Sequence, residues 1–60
     1  MDIVKRQAIL NKYCKLVQNN GFILNGTVRD IDNFGILFET TQKTSFIGWA
    51  NIRELTPLED

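Results

Sequence analysis

The tightest constraint on this chain is the pattern that begins at residue 20. Asn20-Gly21 is a strong short-range hairpin signal, because both residues tolerate the positive φ that a two-residue turn needs. Behind it Phe22, Leu24, Gly26 and Val28 alternate with Ile23, Asn25, Thr27 and Arg29, the period of a half-buried strand. Gly26 lies inside that strand, where a glycine marks a bulge, a sharp bend or a close backbone approach. Asp32-Asn33-Phe34-Gly35 is a turn cluster with an aromatic at its tip. Ile36–Thr40 predicts a short strand, Thr41–Thr44 a polar connection, and Ser45–Trp49 a fourth strand. Ile52–Thr56 predicts a last strand, which Pro57 ends. The expectation is a mainly β fold: five short strands in a meander, with a strongly bent second strand, curled into a small antiparallel barrel.

Ahead of this, MDIVKRQAILNKY predicts an N-terminal α-helix with Asp2 as its N-cap. At helical spacing Ile3, Leu10 and Cys14 share one arc, and Lys5, Ala8, Lys12 and Lys15 the other. Its end is ambiguous on periodicity. The helix can run to Val17 with Asn19, Asn20 and Gly21 as a left-handed cap. Alternatively Tyr13–Asn19 is a strand with Cys14 and Leu16 on one face. The whole chain is one domain: helix over 1–12, sheet over 13–57 and a tail at 58–60.

Sixty residues bury a small core. Chains of this size commonly lean on disulfides, metals or association. A single cysteine, Cys14, cannot form an internal bridge, and the absence of histidine leaves no zinc set. Association remains. The final strands support it, since Phe46, Ile47 and Trp49 are unprotected apolar residues on strands that would lie at a sheet edge. Without histidine there is no imidazole base and no Ser-His or Cys-His pair, so no enzyme and no cofactor is expected. The opening residues mix Asp2, Lys5, Arg6 and Gln7 with aliphatics, unlike a secretory leader, and no apolar run reaches membrane-spanning length. A cytoplasmic location is expected. Charge is balanced in total, with seven of each sign, yet Lys5, Arg6, Lys12 and Lys15 face only Asp2 in the first twenty residues. That asymmetry points to an anionic partner, or to an ordinary solvated face.

The residues Asn20-Gly21-Phe22, Leu24, Gly26, Val28, Asp32-Asn33-Phe34, Ile36-Leu37, Glu39, Ile47, Ile52 and Pro57, in this order, resemble the Sm-like (LSm) family, and within it the bacterial Hfq branch. The resemblance implies that residues 13–19 form a strand. It implies a homo-oligomeric ring, a hexamer foremost, with a heptamer or pentamer as alternatives. In such rings the fourth strand of one subunit pairs with the fifth of the next. It also implies binding of single-stranded RNA, as an RNA chaperone or post-transcriptional regulator. The last motif diverges. Gly48, Trp49 and Ala50 stand where Hfq proteins carry Tyr-Lys-His, so the uridine-gripping lysine and histidine are missing. Of the Ile-Arg-Gly-x-Asn-Ile pattern of archaeal and eukaryotic relatives, only Ile47, Asn51 and Ile52 remain. Val17 replaces the aromatic that stacks purines in many Hfq proteins.

The candidate RNA-binding residues are Phe34, Asn33, Trp49, Lys5, Arg6 and Lys12. An aromatic at a turn tip is well placed to stack on a base, and by resemblance Phe34 holds the base-stacking position; its structural alternative is to plug its own turn or a subunit contact. Asn33 can read a base edge or cap its own turn. Trp49 can stack bases around the pore or pack at an interface. Lys5, Arg6, Lys12 and Lys15 can meet phosphates or simply solvate the helix. Asp32 is expected to fix its turn, and Cys14 to be a buried small hydrophobe. A protein-interaction or assembly module on the same fold, with no RNA, is the competing function. A monomeric barrel carrying the long helix through Val17 is the third.

Overall fold

The computed structural model describes residues 8–58. Five strands form one antiparallel sheet: β1 (Tyr13–Gln18), β2 (Ile23–Ile31), β3 (Gly35–Glu39), β4 (Thr44–Gly48) and β5 (Ile52–Pro57). A 3₁₀ turn, Trp49–Asn51, joins β4 to β5. The order across the sheet is β4-β3-β2-β1-β5. The first four strands are the expected meander. The fifth departs from it, crossing back to pair with β1, Cys14 opposite Pro57 and Leu16 opposite Leu55. The outer edges of β4 and β5 therefore have no strand partner among the described residues.

The helix expectation requires correction. Residues 1–7 of it, Lys5 and Arg6 included, lie outside the described residues. Residues 8–11 form a turn, and no α-helix occurs among the described residues. Asn11 takes φ 64°, a left-handed conformation that ends helical winding, and its N–H donates to the Val28 carbonyl at 2.6 Å. The Val28 N–H in turn donates to Lys12 O at 3.2 Å. Pairing with β2 thus takes over the segment that periodicity assigned to a helix. As a result Ile9, not Leu10, enters the core, while Leu10 stays exposed. The long-helix alternative through Val17 is excluded by β1.

Cys14 and Leu16 of β1, Val28 of β2 and Ile36 and Phe38 of β3 are fully buried, joined by Ile9 and by Ile47 of β4. Each large apolar side chain taken out of water contributes about 1.5–3 kcal/mol, which makes this short roster the main stabilising set. Cys14 is buried, with its thiol donating to Lys12 O at 3.4 Å.

Two features keep these side chains in phase. A bulge between Val28 and Asp30 leaves Arg29 as the extra residue: Val28 faces Phe38 and Asp30 faces Leu37. Strict alternation would turn Ile31 outward. The bulge returns it to the core side, where it packs against the buried cluster. Of the bulge, bend or close approach expected at Gly26, the contacts show the close approach. A Cβ there would run into the Glu39 carbonyl and meet Phe38 Cε2 at 3.0 Å, so the glycine permits β3 to pass close over β2.

The first hairpin also differs in detail. Gly21 N donates to Gln18 O at 2.9 Å and Gln18 N to Phe22 O at 2.8 Å, so the turn centres on Asn19-Asn20, with Gly21 following at φ 91°. This is a three-residue loop closed by a left-handed glycine, not a two-residue turn at Asn20-Gly21.

Candidate nucleic-acid interface

Phe34 is the most exposed of the large apolar side chains among the described residues, at 79%. It reaches that state because its turn is held by Asp32. The Asp32 carboxylate accepts from Phe34 N at 2.7 Å and Gly35 N at 2.9 Å through one oxygen, Oδ1. Asp32 N donates to Gly35 O at 3.0 Å. Within the turn, closure is by its own backbone and one carboxylate, and the ring of Phe34, being exposed, does not plug it. Because Asp32 does the capping, the Asn33 side chain is exposed and makes no hydrogen bond among the described residues. A recess of about 80 Å³ flanks the turn, lined by Asp30, Ile31, Asp32, Gly35, Leu37 and Phe46. It has room for a few waters and not for a base, so a base would meet Phe34 on its open face.

Trp49 lies next to this turn. It opens the 3₁₀ turn instead of ending a fourth strand as expected. Its backbone N–H donates to Phe34 O at 3.0 Å, and its indole Nε1 donates to Asp32 O at 2.8 Å. The indole is half-buried and packs against the core cluster. The two candidate aromatics, fifteen positions apart in sequence, are thereby tied to one turn. Their approach depends on Gly35, which pairs with Gly48. A Cβ at Gly35 would meet Gly48 Cα and Phe46 Cζ, both at 2.8 Å.

On its other side the 3₁₀ turn is held by the β1–β2 loop. Asn19 Nδ2 donates to Ala50 O, and Asn19 N to Asn51 O at 2.9 Å. Arg53 is the extra residue of a second bulge, where Val17 faces Glu54 and Gln18 faces Ile52, and its Nη2 donates to Asn19 O at 2.9 Å. Sequence reasoning missed Asn19, Gly35, Gly48 and Arg53. Only the glycines left a trace in the sequence, and nothing local to Asn19 points to a partner thirty-one residues away.

Among the described residues, cations are not gathered at this end. Arg53 is engaged by Asn19, and Arg29 lies 3.7 Å from Glu39. Lys12 sits beside Val28, up to about 13 Å of strand from Asp32. Asp30 and Asp32 flank the Phe34 turn instead. Val17 is buried, so nothing aromatic is presented at that position.

A bent five-stranded sheet in the order β4-β3-β2-β1-β5, with two edges open and the β2–β3 and β4–β5 turns joined at one end, is the Sm-like fold. Among solved structures it superposes on a crystal structure of a protein described as the pleiotropic translational regulator Hfq. The TM-score is 0.73, over 78% of this chain and 71% of that one, at 19% sequence identity. At that identity the likeness is one of fold. The sequence matches no protein-family model and, at a significant level, no curated protein.

Proposed function

We propose that this chain assembles into a homo-oligomeric Sm-like ring, a hexamer foremost, that binds single-stranded RNA in the cytoplasm without catalysing a reaction. Its role would be that of an RNA chaperone or post-transcriptional regulator. The observation that carries this reading is Phe34: an aromatic ring left open to solvent on a turn whose backbone is fully tied down. Base–aromatic stacking gives about 1–3 kcal/mol per base and accepts any base. Trp49 adds an aromatic edge beside it, and Asn33 adds an unengaged amide. Lys12, beside Val28 and away from the stacking end, supplies a phosphate contact, and Lys5 and Arg6 add positive charge from the same end of the sequence. The open edges of β4 and β5 favour a ring, since pairing β4 of one copy with β5 of the next is a heterologous contact that closes under rotation.

Native mass spectrometry in volatile salt, with and without short uridine and adenine oligonucleotides, tests both halves. A discrete ring that adds oligonucleotide is the expected result. A ring that ignores both refutes the RNA reading, and a monomer refutes the ring.

One observation favours the competing reading of a protein-interaction module. Leu37 and Phe46 face one another across β3 and β4 with both side chains exposed, and Phe22 and Ile23 are exposed at the start of β2. Those apolar residues, with a free strand edge beside them, can accept a partner strand. Recovery of a stoichiometric protein partner and no RNA on purification would favour this alternative.

A further inference from the structure

We propose that Asn19 is the positioning residue of the RNA site, holding the Trp49–Asn51 turn so that Trp49 stays against the Phe34 turn. This rests on the RNA-binding reading above and extends it to a residue in a different loop.

A single 3₁₀ turn leaves its own C=O groups largely without internal donors. The three carbonyls of Trp49–Asn51 find the following partners. Trp49 O accepts from Ile52 N, three residues on. Ala50 O accepts from Asn19 Nδ2, and Asn51 O from Asn19 N. Asn19 thus satisfies two of the three, one through its side chain and one through its backbone. Arg53 Nη2 on Asn19 O fixes Asn19 in turn. The opposite side of the turn is tied to the Phe34 turn through Trp49 N and Trp49 Nε1. The Trp49 turn is therefore bracketed between Asn19 and Asp32–Phe34, and removing the Asn19 side chain leaves Ala50 O without its donor and that side of the turn held by Asn19 N on Asn51 O alone. The side chain must be a donor of this length. Alanine offers none, and an ionised aspartate only accepts, so it would face Ala50 O with like partial charge.

The test uses the full chain, as wild type and as Asn19→Ala, Asn19→Asp and Asn20→Ala. Asn20 is in the same loop, but its Oδ1 accepts from Phe22 N and its side chain makes no hydrogen bond to the Trp49–Asn51 turn, so it controls for general loosening. Trp49 is the only tryptophan, so emission and acrylamide quenching report on this turn alone. Both Asn19 variants should shift emission to longer wavelength, raise quenching and weaken oligonucleotide binding about 5-fold or more, the low end of what one stacked base supplies. Asn20→Ala should leave emission and affinity unchanged even if it lowers the melting temperature. Asn19→Asp, which preserves side-chain size, keeps the comparison valid if Asn19→Ala folds poorly. If both Asn19 variants match Asn20→Ala in emission and affinity, the inference is overturned. If emission shifts but affinity does not, Asn19 holds the turn without serving the site, and the positioning role is refuted. If wild type binds no RNA while the emission shift appears, the failure belongs to the RNA reading and takes the positioning role with it.

Discussion

Replacing Asp32 with alanine should loosen the one turn on which the stacking hypothesis depends. The carboxylate is the sole side-chain acceptor for the N–H groups of Phe34 and Gly35. A hydrogen bond to a charged group is worth about 1.5–3 kcal/mol, but the two losses differ. The Phe34 N–H is exposed and water replaces the carboxylate cheaply. The Gly35 bond is partly buried, at a buried residue, and its loss counts more. An Asx cap replaced by alanine costs about 0.5–2 kcal/mol in comparable settings. A net loss of about 1.5 kcal/mol follows, which for a domain this size lowers the melting temperature by about 6–12 °C. Asp32→Asn keeps an acceptor oxygen in place and should lose less than half as much. The assay is thermal and urea unfolding followed by Trp49 emission at one fixed chain concentration, because association would make the midpoint concentration-dependent. Trp49 is suited to it, since its indole donates to the Asp32 carbonyl itself. An Asp32→Ala midpoint within about 1 °C of wild type, or an Asp32→Asn loss as large as that of alanine, would refute the assignment of the turn to this carboxylate.

Phe34→Ala should weaken oligonucleotide binding about 5- to 150-fold per stacked base, and Phe34→Trp should retain it, both read by fluorescence anisotropy. Lys12→Ala should reduce the slope of log K against log salt by about 0.7 for each phosphate it neutralises, at little cost in stability. Phe38→Ala removes the largest fully buried side chain and should cost about 3–5 kcal/mol, enough to lose cooperative unfolding in a domain this small. Glu39→Gln should change stability by less than about 0.5 kcal/mol, because the pair with Arg29 spans 3.7 Å and both side chains are about half exposed.

The strands were legible because their signals are local. Alternation through Phe22–Val28, the Asp32–Gly35 turn and the polar stretch near residue 42 each depend on neighbours a few positions away, and β2, β3 and β4 fall within a residue or two of where they were expected. The order of those elements also sufficed for the Sm-like resemblance, which the structure bears out at the level of fold. The failures were non-local. Residues 8–11 carry a helical pattern, yet pairing of Asn11 and Lys12 with Val28 overrides it. The Arg29 bulge is invisible until β3 is laid beside β2. The return of β5 to β1 depends on sheet closure and not on any turn residue. At the candidate site Phe34 could be picked out from its turn, and Asp32 was rightly given the turn. The contact between Trp49 and that turn, and the Asn19 clamp behind it, exist only in three dimensions.

The return of β5 to β1 also orders events in time. Three of the four strand pairings, β1–β2, β2–β3 and β3–β4, join neighbours through short turns and can form soon after collapse. The fourth joins Cys14 to Pro57 and must close a loop that contains nearly the whole domain. Until it closes, β1 presents a bare edge and the Asn19–Ala50 contact does not exist. A half-folded chain can then take its fifth strand from a neighbour's β5 instead of its own. The route to the native subunit is thus open to domain swapping at that step, and dilution during refolding should favour the native subunit.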